Sequence, residues 1–214
     1  MSQGRTPARR HPASRRPGRP RAASDGETAR LFIAVRPPDS ALAELAHLVD
    51  DLATARAGAR LTDRSRWHIT VAFLGEVPES RVGDASAALT AAAERAVPVR
   101  LRIAGGGRFG RGRFTVLWAG IAGETEQDLP AFGGMARAVR RELRRARLPY
   151  DEKPFRPHLT LARPGGKLDD PEIRADVETL RGSTGAPFTV DQLWLYRSRL
   201  GPDPSHTPVS HCRL

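Results

Sequence analysis

Cysteine, lysine and long apolar runs are all scarce in this 214-residue chain, and each scarcity closes off a class of function. With one cysteine, Cys212, there is no internal disulfide and no cysteine-built metal cluster. No apolar run approaches the roughly 20 residues that a helix needs to cross a bilayer. The basic N-terminus has no apolar segment of the kind a secretory signal carries, so a soluble cytoplasmic protein is the expectation. Lysine occurs only at Lys153 and Lys167, so arginine carries nearly all the positive charge behind the formal +11. Residues 1–30 hold eight arginines against Asp25 and Glu27, and over half of the net charge lies there. A basic tail on a mildly basic body suits a polyanionic partner such as RNA, although an arginine-biased composition by itself would look the same.

Residues 1–29 are rich in Arg, Pro, Ser and Ala and show no apolar periodicity. Nothing in them offsets the entropy of ordering, so this segment is expected to be disordered. Order is expected from Leu31. Leu31-Phe32-Ile33-Ala34-Val35 reads as a buried strand closed by Pro37-Pro38. Asp39 or Ser40 then serves as the cap of a helix marked by Leu42, Leu45, Val49 and Leu52. A strand over 67–74, a helix over 79–96 and a strand over 99–104 follow, with a glycine-rich turn at 105–110. The same order then returns: a strand over 114–121, a basic amphipathic helix from Leu129 to Leu143, a strand over 157–162, a short helix near Pro171 and a last strand over 188–197. Such a repeat of elements points to an internal duplication. Its stable packing is a sheet covered by helices on one face, with the other face left for a site.

The two copies also share a polar signature. Trp67-His68-Ile69-Thr70-Val71 and Pro157-His158-Leu159-Thr160-Leu161 both place His-x-Thr-x in a β-prone run. Side chains alternate faces in a strand, so His68 shares a face with Thr70, and His158 with Thr160. A duplication that only preserved a fold would keep the apolar positions, whereas this one also carries a paired imidazole and hydroxyl. Two such pairs facing each other supply two proton-transfer groups and two hydroxyl donors, which is the equipment for moving a phosphoryl group without a metal.

Around these motifs, Arg156 lies two residues before His158 and is a candidate phosphate or RNA-backbone contact. Arg163 reads as a flanking charge. Phe109, after three glycines, is a candidate for stacking on a base, in competition with simple packing at a turn. Trp67 points away from His68 and is expected in the core. Gly105-Gly106-Gly107 is not a Walker-type phosphate loop, because no Gly-Lys-Ser/Thr follows. His11, His47, His206 and His211 read as ordinary, and a metal site from His206, His211 and Cys212 is disfavoured.

The strings Leu31-Phe32-Ile33-Ala34-Val35, His68-Ile69-Thr70-Val71-Ala72-Phe73-Leu74-Gly75-Glu76-Val77, Phe155-Arg156-Pro157-His158-Leu159-Thr160-Leu161-Ala162-Arg163 and Leu195-Tyr196-Arg197-Ser198 resemble the 2H phosphoesterases. Within that superfamily, the chain looks more like the RNA 2′,3′-cyclic phosphodiesterases once called 2′-5′ RNA ligases. The resemblance covers roughly residues 30–200. It implies an α+β fold, bilobal and duplicated, in which two antiparallel sheets form a V-shaped cleft with helices on the outer faces. It also implies hydrolysis of a terminal RNA 2′,3′-cyclic phosphate to a 2′-phosphate, with no cofactor and no metal, by a monomer. By the resemblance His68 is the proton donor to the leaving 3′-oxygen, His158 the acceptor from water, and Thr70 and Thr160 donors to the non-bridging oxygens. Nothing in the spacing itself separates the two histidine roles. Many members carry Lys where Ala72 stands, which removes one phosphate contact here. Ligation through a 2′-5′ linkage, cleavage of 2′-5′ oligonucleotides or small cyclic nucleotides, and a non-catalytic RNA-binding module stay open as alternatives. Residues 201–214 depart from the family's usual ending, and their structure is left open.

Overall fold

The computed structural model describes residues 26–214 together with Met1, so most of the basic segment expected to be disordered lies outside the described residues. The first strand, β1 (Thr28–Val35), starts ahead of Leu31. Its polar beginning is held by cross-strand pairing with β3 (Ile69–Pro78), in register Thr28 to Pro78 through Val35 to Ile69. The Thr28 hydroxyl donates to Glu76 at 2.9 Å, and the Arg30 guanidinium lies 4.6 Å from the Phe73 ring. Pairing partners, rather than apolar content, therefore set where this strand begins.

Helices α1 (Asp39–Asp50) and α2 (Ala53–Arg56) and the two-residue strand β2 (Arg60–Leu61) separate β1 from β3. No side chain caps α1: Asp39 is already helical, and its carboxylate pairs with Arg36 at 2.7 Å. Next come α3 (Val82–Ala93), entered through a 3₁₀ turn over Glu79–Arg81, and β4 (Val99–Phe109). The second repeat runs β5 (Val116–Gly123), α4 (Asp128–Arg145), β6 (His158–Arg163) and α5 (Asp170–Gly182). A capping box formed by Asp169 and Glu172 fixes the start of α5.

The single last strand expected over 188–197 is two strands, β7 (Thr184–Val190) and β8 (Gln192–Arg199), which part at Asp191 and enter different sheets. Residues 205–213, within the segment whose structure the sequence left open, form β9 (Ser205–Arg213).

One sheet has the order β3-β1-β8-β9 and the other β2-β6-β5-β4-β7, with every ladder antiparallel. The repeats trade strands. In the first sheet the opening strand β1 sits between its own motif strand β3 and β8 from the second repeat. In the second sheet the opening strand β5 sits between its own motif strand β6 and β4 from the first repeat. Neither half completes a sheet alone, so the two motifs are brought together by the same exchange that builds the core.

Helix α3 packs on β8 and β9 and against α4, while α5 lies along β4 and α1 beside β7. Along β1 the alternation is clean. Leu31, Ile33 and Val35 belong to the main apolar core, whereas Phe32 and Ala34 point to the opposite side. Trp67 is buried in that core, as its position before the motif predicted. No helix among the described residues is long and apolar enough to cross a membrane.

Candidate active site

The open faces of the two sheets meet over a cavity of about 220 Å³ lined by Thr62, Arg66, His68, Thr70, His158, Thr160, Arg163 and His206. All four motif residues are present in this lining. They arrive from two strands that are not hydrogen-bonded to each other, since β3 pairs with β1 while β6 lies between β2 and β5.

Each imidazole is pinned in the same way. His68 Nδ1 lies 2.7 Å from the main-chain oxygen of Arg66, and His158 Nδ1 lies 2.7 Å from that of Arg156. A carbonyl oxygen can only accept, so Nδ1 carries the hydrogen in both rings, and Nε2 is the nitrogen left for chemistry. His68 Nε2 also lies 3.1 Å from Thr70 Oγ1. The repeated unit is therefore Arg-x-His-x-Thr, with the arginine main chain serving as the orienting acceptor. The Arg-Trp-His and Arg-Pro-His spacing was legible in the sequence, but only Arg156 was singled out from it. The side chains diverge: Arg66 lines the histidine cavity, whereas Arg156 lines the next compartment.

Both rings rest on aromatic walls supplied by the central strands. Phe32 of β1 lies 4.7 Å from His68 and 5.3 Å from Tyr196 between ring centroids. Trp118 of β5 lies 6.1 Å from His158 and 5.3 Å from Phe109. Phe109, at the end of β4, is also edge-on to His158 at 5.1 Å. Gly107 makes this wall possible, because a Cβ there would meet the Trp118 ring at 2.5 Å.

A second cavity of about 520 Å³ opens beside the first and shares Thr70 and His158 with it. Phe73, Phe109 and Phe155 give it apolar surface, and Arg140, Lys153 and Arg156 give it positive charge. Arg156 and Phe109 thus stand together in the neighbouring compartment, while Arg163, read from sequence as a flanking charge, lines the histidine cavity itself. Ala72 lines the larger cavity with little exposed surface.

By sequence His206 reads as an ordinary histidine of a tail, and the structure corrects that reading. Strand β9 carries it into the cavity, where its ring is edge-on to His68 at 5.0 Å and to Phe32 at 4.9 Å. No motif marks it, because its position depends on β9 joining β8, a long-range pairing with no local signature. His211 instead stacks on Trp194 at 4.4 Å, and Cys212 lies beside Thr90, so these three side chains have three different neighbourhoods.

Electrostatics distinguish the rings. Loss of hydration lowers the pKa of His68; the Arg66 carbonyl pulls it part of the way back up, and the charges of His158 and Arg66 lower it further. His206 is pushed down to about 4, chiefly by desolvation, with His68 and Arg66 contributing. Near neutral pH His206 is an uncharged neighbour. The site can thus hold an anion between two orientable imidazoles, with two hydroxyls and the guanidinium-bearing Arg66 and Arg163 around it.

A model of the 2′-5′ RNA ligase superfamily matches residues 37–202. An RNA 2′,3′-cyclic phosphodiesterase of Geobacillus stearothermophilus is 28% identical over 182 residues, a stretch that covers 84% of this chain but only 55% of that relative. An RNA 2′,3′-cyclic phosphodiesterase of Thermus thermophilus is 34% identical over 136 residues, covering 63% of this chain and 68% of that protein. The crystal structure of the Thermus thermophilus protein TT0787 superposes with a TM-score of 0.68 at 28% identity, covering 86% of this chain and 97% of the other.

Proposed function

The chain belongs to the 2′-5′ RNA ligase superfamily, and from that premise we propose that it hydrolyses the terminal 2′,3′-cyclic phosphate of RNA to a 2′-phosphate. The observation that carries this reading is the pair of imidazoles held by equivalent 2.7 Å carbonyl contacts, lining one cavity with both motif threonines. In-line attack on phosphorus needs a proton removed on one side and a proton supplied on the other, and two opposed imidazoles meet that need.

In this mechanism water attacks phosphorus as its proton passes to His158 Nε2. The P–O3′ bond breaks, and His68 Nε2 gives its proton to the departing 3′-oxygen, leaving the phosphate on the 2′-oxygen. Thr70 and Thr160 donate to the non-bridging oxygens as charge builds there. A protonated His68 Nε2 no longer accepts from the Thr70 hydroxyl, so its N–H is left for the departing 3′-oxygen and the threonine hydrogen for the phosphate. Arg66 and Arg163 supply positive charge at the same cavity.

The lowered pKa of His68 bears on its role as donor. In the free protein a desolvated imidazolium lacks an opposing charge. A phosphodiester bound between the two rings supplies one, so protonation of His68 is coupled to substrate binding. One chain contributes both motifs and completes the cleft, so a monomer suffices for this chemistry.

The test is incubation with a short RNA ending in a 2′,3′-cyclic phosphate, in EDTA, beside the His68→Ala and His158→Ala variants. Conversion to a 2′-phosphate by the wild type alone supports the assignment. Binding of that RNA without conversion would move the substrate to a different cyclic or 2′-5′-linked ester, or the role to RNA binding.

A further inference from the structure

Helix α4 places Arg137, Arg140, Arg141 and Arg144 at spacings of three and four residues, on one face of the helix. The opposite face, with Phe132, Ala136, Val139 and Leu143, is buried in the core. The four arginines, with Tyr150 and Glu152, line a groove of about 460 Å³. Arg140 also lines the 520 Å³ cavity beside His158, so the groove and the active-site cleft are continuous through one side chain.

Little among the described residues neutralises this charge. The buried carboxylate of Glu142 is shared among Arg95, Arg141 and Arg145. Among the described residues, Arg137, Arg140 and Arg144 have no ion pair. Arg140 donates to the Lys153 carbonyl at 2.9 Å, and Arg144 to the Tyr150 hydroxyl, both neutral acceptors. Glu152 is the one carboxylate in the groove lining. The segment that roofs the groove is itself anchored, with Asp151 N–H bonded to the Phe73 carbonyl at 2.8 Å.

We propose that this groove is the track for the RNA backbone upstream of the terminal nucleotide, so that the protein favours ends of RNA chains over cyclic mononucleotides. The inference rests on the phosphodiesterase reading. With the terminal phosphate at the histidines and the terminal nucleoside in the aromatic-lined cavity, the next phosphates leave past Arg140. The arginine face spans two helical turns, about 10 Å, which is too long for one small anion and suits successive phosphodiesters. Guanidinium groups bind phosphate oxygens in a bidentate manner, and the Tyr150 ring, with the Arg144 guanidinium 5.7 Å from its centroid, offers a stacking surface.

The experiment compares wild type with Arg137→Glu/Arg144→Glu and with Arg137→Gln/Arg144→Gln, leaving Arg140 and Arg141 in place. Turnover is measured on a single-stranded RNA of about ten nucleotides ending in a 2′,3′-cyclic phosphate, and on cytidine 2′,3′-cyclic phosphate. Binding of the same RNA with a 2′-phosphate end is followed by fluorescence anisotropy across salt. The charge reversal is expected to lower kcat/KM on the oligonucleotide by about tenfold or more while leaving the mononucleotide rate unchanged. The Gln pair, which keeps the hydrogen-bonding capacity and decides the matter if the Glu pair melts early, should reduce the salt slope of RNA binding by about 1.4. Equal effects on both substrates, or wild-type RNA affinity in both variants, would overturn the track. If wild type hydrolyses neither substrate yet RNA binding still depends on these arginines, the track stands and the phosphodiesterase reading falls.

Discussion

The His206 ring stands edge-on to His68 with centroids 5.0 Å apart, which brings a third imidazole from the last strand against a ring of the repeated motif. Desolvation holds His206 at about 4 and His68 below its ordinary value. Both groups bind protons more weakly in the folded protein than in the unfolded chain, where a histidine titrates near 6.5. Stability from this pair is therefore fully present above about pH 6.5 and is lost as pH falls toward 4. Urea midpoints measured from pH 7.5 to 4.5 should decline for the wild type and decline less for His206→Phe, which keeps the packing on Phe32. Parallel declines would show that His206 is not held neutral by the fold.

On the proposed mechanism, replacing either motif histidine removes one of the two proton transfers. His68→Ala and His158→Ala should each lower kcat by about 10²–10⁴-fold, and Thr160→Val by on the order of 10² through loss of one donor to the phosphate oxygens. The pH profile of kcat/KM should be bell-shaped, because one ring acts neutral and the other protonated. Turnover should persist in EDTA, since the proposed mechanism assigns both transfers to the two imidazoles. Loss with EDTA and recovery with a divalent ion would sink the mechanism. Single-turnover rates and a pH series on the three variants decide it.

How much of this was legible beforehand follows from the range of the forces involved. The duplicated elements and the His-x-Thr-x pairs are local patterns, and alternation within a strand sufficed to put His68 with Thr70 and His158 with Thr160. Neither Asp39 nor Ser40 caps α1, because Asp39 is its first helical residue, Pro38 holds the N-cap position, and the Asp39 carboxylate turns to Arg36. The split at Asp191, the strand at Ser205–Arg213 and the arrival of His206 all follow from which sheet a strand joins. That choice is made by tertiary pairing, which leaves little trace in any ten-residue window. Strict alternation puts Arg163 on the other face from His158, but the register shift between Thr160 and Ala162 breaks that alternation, and Arg163 lines the cavity.

Gly107 is where the aromatic wall behind His158 is most exposed to substitution. A Cβ at this position would lie 2.5 Å from the Trp118 ring, which in turn stacks on Phe109. Gly107→Ala should cost about 1–3 kcal/mol in stability. By shifting Trp118 and Phe109 it should also lower kcat/KM by up to about 10²-fold, the scale of a 1 Å misplacement. Gly182→Ala, at the end of α5 with open space around it, is the control and should lower neither quantity. Wild-type kinetics for Gly107→Ala would show that the wall does not position His158.

Asp176 supplies a contrasting case, a buried carboxylate that serves the fold and not the site. It projects from α5 to the start of α2, accepting from Ala53 N–H at 2.7 Å, Thr54 N–H at 2.9 Å and the Thr54 hydroxyl at 2.5 Å. Both Asp176 and Thr54 are buried, so removing the carboxylate strands three donors away from water. Asp176→Ala should therefore cost about 3 kcal/mol, roughly a 10 °C drop in Tm for a chain of this size. Asp176→Asn keeps one acceptor and should cost less. Because α2 and α5 pack away from the histidine cavity, kcat/KM at 25 °C should stay near wild type in both variants. A loss of activity without a loss of stability would show that this anchor reaches the cleft, through β2 and its pairing with the β6 motif strand.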